Sequence, residues 1–214
     1  MAAKIKICGI MRPHDGASAV AAGASYLGVV FAECPRTVTE DIAREIVAAA
    51  GGVVVMGVFA TQPVEEILQI RDRAGLSGAQ LHGSYSPGSA SRLRAAGLEV
   101  WRVVRIAAPS DLDLLAEAAN ESDAVLVEPK VAHLRGGAGL PLDLAVAREA
   151  RARLAGHPMA LAGGLTAETV AEALALVRPE IVDVSSGVER VPGIKDLDKI
   201  ARFVEAVFAY SPIS

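Results

Sequence analysis

The chain has 214 residues, which is enough for one domain with a substantial core, and we expect a single domain spanning 1–214. It is 52% hydrophobic but only 4% aromatic, so Ala, Val, Leu and Ile must build that core. The net charge of −4, without a basic stripe, argues against a nucleic-acid partner, and no apolar run is long enough to predict a membrane helix. Two cysteines and an N-terminus without a signal-peptide pattern favour a cytoplasmic protein.

Short β-branched runs alternate along the chain with stretches whose apolar residues recur at helical spacing. The predicted strands are 4–10, 25–31, 53–59, 78–83, 99–106, 123–129, 158–164 and 180–187. The predicted helices are 14–23, 39–51, 63–75, 87–96, 109–121, 142–155, 166–177 and 196–209. No signal of an antiparallel hairpin interrupts the series.

Strand–helix units in this order predict parallel strands joined by helical crossovers. Eight such units can close into a barrel, which leaves no sheet edge exposed. The alternative is an open doubly wound sheet, but no GxGxxG follows the first predicted strand and the glycine-rich turns come late in the chain. We therefore predict an α/β protein of the (β/α)8 TIM-barrel type.

In such a barrel the chemistry lies at the carboxyl ends of the strands, and several predicted strands end in reactive groups. Cys8 ends the first strand, Arg36 follows the second, His82 ends the fourth and Glu128 ends the sixth. Taken alone, Cys8 is compatible with core packing, a metal ligand, half of a disulfide or a catalyst, and the other three also have ordinary explanations. Their convergence on one rim indicates an active site.

Glycine-rich turns follow the last two predicted strands. One contains Gly163 and Gly164, within LAGGLTAE, and the other contains Ser185, Ser186 and Gly187, within DVSSGVER. Such turns expose consecutive backbone N–H groups, and they form the usual phosphate site of these barrels. The two turns together predict a phosphorylated small-molecule ligand.

These motifs resemble those of the N-(5'-phosphoribosyl)anthranilate isomerase family of tryptophan biosynthesis. The segments that carry the resemblance are KICGI at 6–10, LGVVF at 27–31, CPR at 34–36, QLHG at 80–83, GGAG at 136–139, LAGGL at 161–165, DVSSGVE at 183–189 and GIKD at 193–196. The resemblance implies a (β/α)8 barrel that needs no metal or cofactor. It also implies an Amadori rearrangement that converts N-(5-phosphoribosyl)anthranilate into 1-(2-carboxyphenylamino)-1-deoxyribulose 5-phosphate.

The resemblance further implies roles for individual residues. The family cysteine that matches Cys8 is a general base, and the arginine that matches Arg36 holds the anthranilate carboxylate. Backbone N–H groups of the two glycine-rich turns bind the phosphate. Asp183 and His82 match family positions at the rim, with supporting roles in substrate binding. No nucleic acid, membrane or cofactor is implied, and the protein is expected to be a monomer or a homodimer.

The sequence departs from the family pattern around the general acid. The family has aspartate there, whereas this chain has Glu128, within VEPK, and the extra methylene matters because a misplacement of about 1 Å can cost about a hundredfold in rate. Pro129 biases Glu128 toward an extended backbone, which would aim the longer side chain into the barrel mouth. The family loop lysine is replaced by Leu140, and Cys34 stands where serine is usual.

Three functions are therefore compatible with the sequence. The first is an active isomerase with Glu128 as its general acid. The second is a non-catalytic barrel that binds phosphosugars, and the third is an aldose–ketose isomerase with a shifted substrate.

Overall fold

A computed structural model describes residues 3–130 and 142–210, and it contains a closed barrel of eight parallel strands. The strands are β1 (Lys4–Cys8), β2 (Tyr26–Val30), β3 (Val54–Phe59), β4 (Gly78–Leu81), β5 (Glu99–Ile106), β6 (Ala124–Pro129), β7 (Met159–Leu161) and β8 (Ile181–Val184). Their order around the barrel follows the chain, and β8 pairs with β1 to close it. The predicted (β/α)8 TIM barrel is confirmed.

The helices lie close to the predicted ranges and are mostly shorter. They are α1 (Pro13–Ala22), α2 (Glu40–Ala49), α3 (Val64–Ala74), α4 (Ser89–Ala95), α5 (Leu115–Glu121), α6 (Leu144–Arg153), α7 (Val170–Val177) and α8 (Leu197–Ala209). Thr39 caps α2 by accepting a hydrogen bond from the Ile42 amide, and Gly23 ends α1 in the left-handed conformation. None of the helices within 3–130 and 142–210 has the length and apolar character needed to span a membrane.

Outside the barrel, the structure contains an antiparallel hairpin that the sequence analysis did not predict. After β8, a short 3-10 turn at Ser186–Val188 leads into β9 (Glu189–Val191), which pairs with β10 (Ile194–Lys195) outside the barrel. Gly193 turns the hairpin with a φ of 81°, and it packs against the Met11 side chain. Strands of this length are too short to show an alternating pattern, so no pattern in the sequence indicated them.

Both faces of each barrel strand are buried, so alternation along a strand separates an inner set of side chains from an outer one. On β1, Ile7 joins the core between strands and helices, whereas Lys6 points into the barrel and is fully buried. Its Nζ lies 5.6 Å from the centre of the Trp101 ring, which fills the interior and packs edge-on against Tyr26. Cys8, two residues beyond Lys6, therefore faces the interior at the barrel mouth.

Candidate active site

Cys8 is a buried free thiol at the mouth of the barrel, with 9% of its surface exposed. Its Sγ packs over Gly28 of β2, where an added Cβ would lie 2.8 Å from the sulfur. Burial raises the pKa of the Cys8 thiol, while the positive charges of Lys6 and Lys195 act in the opposite direction. Cys34 is also a free thiol, so the structure contains no disulfide between the two.

Glu128 and His82 meet at the same mouth. Glu128 follows the inward-facing Leu126 by two residues on β6, and its Oε1 lies 2.8 Å from Nε2 of His82, which directly follows β4. The two atoms are at hydrogen-bond distance but are not aligned as a ring N–H donor and acceptor, and neither has another partner among the described residues. Two strands, β7 and β8, separate Glu128 from Cys8 on the shorter way around the barrel.

Asp183 lies on the inner face of β8 and is neutralised by Lys6. The Lys6 Nζ donates to Asp183 Oδ1 at 2.9 Å, and both side chains are buried. Burial alone would lower the pKa of Lys6, but the negative charge of Asp183 and the neighbouring Cys8 raise it. Lys6 therefore stays positively charged directly below the thiol.

Arg36 extends over the loop that follows β1, but its donors are partly occupied. Its Nε and Nη2 donate to the two carboxylate oxygens of Glu189 at 2.8 and 2.7 Å. Glu189 also accepts from Lys195 Nζ at 3.0 Å, and Lys195 donates to the Ser185 carbonyl at 3.1 Å. Burial acts to raise the pKa of Glu189, but its hydrogen bonds with Arg36 and the charge of Lys195 lower it. Gly9 lies beneath Arg36, where a Cβ would collide with the Arg36 side chain.

The two glycine-rich loops lie side by side, as the pairing of β7 with β8 requires. Gly163 and Gly164 have φ values of 108° and 62°, and Gly187 packs so closely against the Leu165 carbonyl that no side chain would fit. The N–H groups of Gly163, Gly164, Ser186 and Gly187 donate to no backbone or side-chain acceptor within the described residues. Four donors without partners on adjacent loops are suited to hold an anion.

The sequence model of the family described as N-(5'phosphoribosyl)anthranilate (PRA) isomerase matches residues 5–206. The chain belongs to this family. A relative from Paracoccus denitrificans (strain Pd 1222), named N-(5'-phosphoribosyl)anthranilate isomerase, is 40% identical over 210 residues, which cover 95% of this chain and 96% of the relative.

Solved structures of PRA isomerases share the whole barrel. The crystal structure of phosphoribosyl anthranilate isomerase from Thermotoga maritima matches with a TM-score of 0.87 at 30% identity, covering 97% of this chain and 99% of that one. A second crystal structure, of phosphoribosyl anthranilate isomerase in complex with reduced 1-(o-carboxyphenylamino)-1-deoxyribulose 5-phosphate, matches with a TM-score of 0.84 at 29% identity over 97% and 99% of the two chains.

Three of the buried charged residues near the mouth of this PRA isomerase family member escaped the sequence analysis. They are Lys6, Glu189 and Lys195, and each lies inside a segment that carried the resemblance. The sequence signal that could have found them is a charged residue inside a motif that was otherwise assigned to a strand or a turn. The GGAG segment and Leu140 lie outside the described residues, and no group of three His, Cys, Asp or Glu within the described part is placed to hold a metal ion.

Proposed function

We propose that this chain isomerises N-(5'-phosphoribosyl)anthranilate to 1-(2-carboxyphenylamino)-1-deoxyribulose 5-phosphate. The observation that carries the proposal is the combination, at the mouth of a PRA isomerase family barrel, of a thiol, a carboxyl group and four backbone donors without partners. The reaction needs an acid at the ring oxygen, a base at C2 and an anchor for the phosphate, and these three groups can supply them.

In the proposed mechanism Glu128 gives its proton to the furanose ring oxygen. The bond between C1 and that oxygen breaks, and the nitrogen lone pair forms a C1=N iminium. The Cys8 thiolate then removes the proton on C2. The electrons of that C–H bond form the C1=C2 bond, and the C1=N π pair returns to nitrogen as a lone pair, which gives the enolamine. The Cys8 thiol then gives its proton to C1, and the C2 hydroxyl gives its proton to the Glu128 carboxylate as the ketone forms. Both groups return to their starting states, so no atoms are gained or lost.

The remaining predicted residues bind and orient the substrate in this proposal. The phosphate lies on the amides of the two glycine-rich loops, and Asp183, held by Lys6, accepts from a sugar hydroxyl. His82 holds the Glu128 carboxyl. A guanidinium has five N–H donors, so Arg36 keeps three for the anthranilate carboxylate after its two hydrogen bonds to Glu189.

The proposed activity predicts that the gene restores growth to a tryptophan auxotroph that lacks this isomerase. The purified protein should convert N-(5'-phosphoribosyl)anthranilate without an added metal or cofactor. The Cys8→Ser variant, expressed to the same level, serves as the control and should not restore growth. Tight binding of the product without any turnover would contradict the proposal and would favour the non-catalytic phosphosugar-binding barrel.

The phosphate site predicts where an anion binds. In a crystal soaked with inorganic phosphate, we expect phosphate oxygens within about 2.7–3.2 Å of the Gly164, Ser186 and Gly187 nitrogens, because these amides have no other acceptor among the described residues. Lys4→Met, at the opposite end of the barrel, should leave both the anion position and KM unchanged. Phosphate found only elsewhere, with these loops empty, would refute the site.

A further inference from the structure

Arg105 is a positive side chain at the barrel mouth to which the proposed mechanism gives no part. On β5, Arg102 points outward and pairs with Glu121 of α5 at 3.1 Å, whereas Trp101 and Val103 belong to the cluster that fills the interior. Alternation along the strand therefore places Arg105 on the inner side, near the carboxyl end of β5. It is partly buried.

Arg105 is also the direct neighbour of Glu128. In the parallel register of β5 and β6 these two residues are paired, and strands in a sheet lie about 4.8 Å apart. Both residues are on the inner face, so a guanidinium and a carboxyl group start from adjacent positions at the mouth. A positive charge near a carboxyl group favours the ionised form of that group.

Among the described residues, three other cations near the mouth already have carboxylate partners. These cations are Lys6, Arg36 and Lys195, which pair with Asp183 or Glu189. Arg105 forms neither an ion pair nor a side-chain hydrogen bond within 3–130 and 142–210. The remaining stretches, 1–2, 131–141 and 211–214, contain no Asp or Glu. Arg105 is therefore a charge without a carboxylate side chain beside it, except for the Glu128 carboxyl that contacts His82.

We infer that Arg105 is a positioning residue that acts through Glu128, stabilising the carboxylate that forms when Glu128 gives its proton to the ring oxygen. This inference rests on the proposed function. While Glu128 is protonated, Arg105 has no counter-charge, and the ion pair forms only as the proton leaves. An interaction that strengthens along the reaction lowers the barrier without tightening substrate binding.

Few other charges face Glu128. His82 approaches from the loop after β4, and Arg105 approaches from β5. From β7 the inward residues are Ala160 and Ala162, which carry no charge. Lys130 follows two residues later and is exposed, while His133 and Arg135 lie outside the described residues. A change at Arg105 should therefore be detectable in the titration of Glu128.

The test measures that titration directly, independently of turnover. In a protein carrying ¹³C-labelled glutamate, the Glu128 carboxyl signal is identified by its loss in Glu128→Gln and followed against pH. Arg105→Gln should raise the Glu128 midpoint, because the neighbouring positive charge is gone. Arg105→Lys should keep the midpoint near that of the wild type. Arg148→Gln, which removes an exposed charge on α6, is the matched control and should change nothing.

The kinetics separate this role from substrate binding. Arg105→Gln should lower kcat about tenfold while KM changes less than about threefold, the pattern of an interaction made only in the transition state. An unchanged Glu128 midpoint overturns the inference. If KM also rises strongly in that case, Arg105 is a substrate-binding residue instead. If Glu128 titrates in the wild type but the wild type shows no turnover, the proposed function is wrong. Arg105 then has no catalytic role. Circular dichroism checks folding, and Arg105→Met replaces the glutamine variant if that variant does not fold.

Discussion

Replacing Cys8 with serine is expected to lower turnover by about a thousandfold, within the range that one acid–base group contributes. A serine hydroxyl ionises at far higher pH than a thiol, so it cannot act as the base that removes the C2 proton. The smaller oxygen fits the space that Sγ occupies above Gly28, so the fold and the affinity for product should be unchanged. Cys34→Ser is the matched control and should retain wild-type kinetics, because a serine hydroxyl can accept the hydrogen bond from the Arg36 amide that the Cys34 sulfur accepts at 3.3 Å.

The pH dependence of the wild type provides a second check on Cys8. Burial raises the pKa of its thiol, so the thiolate forms at higher pH than in an ordinary cysteine. Because the thiolate is the proposed base, kcat/KM should keep rising with pH above neutrality, and this rise should disappear in Cys8→Ser. Wild-type turnover in Cys8→Ser, or a kcat/KM that falls steadily from pH 6 to 9, would remove Cys8 from the mechanism.

Glu128→Gln is expected to lower kcat by at least about a hundredfold, because the amide keeps the shape of the side chain but cannot give up a proton to the ring oxygen. Glu149→Gln, on the exposed surface of α6, is the control for loss of a carboxylate and should have no effect. Steady-state kinetics on purified protein, with product affinity measured by calorimetry, separate lost chemistry from lost binding.

Glu128→Asp tests whether the proposed acid depends on the length of the side chain that carries its carboxyl group. The glutamate carboxyl reaches within 2.8 Å of His82, and an aspartate would draw it back by one methylene. We therefore expect Glu128→Asp to be slower than the wild type although aspartate is the residue that the family resemblance implies. If Glu128→Gln is as active as the wild type and Glu128→Asp gains nothing, the acid lies elsewhere.

The sequence predicted the barrel and the strand ends because both follow from patterns local to the chain. Alternation of short apolar runs with helical spacing located all eight barrel strands, and strand ends in such a barrel share one rim. Alternation alone does not say which face is the interior, so the KIKIC segment did not reveal that Lys6 lies inside the barrel. The partner that Arg36 takes, Glu189, is 153 residues away and was not predictable from spacing. Arg105 was missed for a related reason, since its importance depends on a register with β6.

The ion pair between Lys6 and Asp183 joins residues 177 positions apart, and it lies beside the pairing of the last barrel strand with the first. The thiol comes from the beginning of the chain and the phosphate loops come from its end, so a partly synthesised chain contains no complete site. Contacts this distant in sequence form slowly, because a long loop must close, at a cost in conformational entropy, before the contact can stabilise the chain. A bound substrate touches both ends at once, and ligand binding should therefore suppress opening of the barrel at the β8–β1 seam more than opening anywhere else.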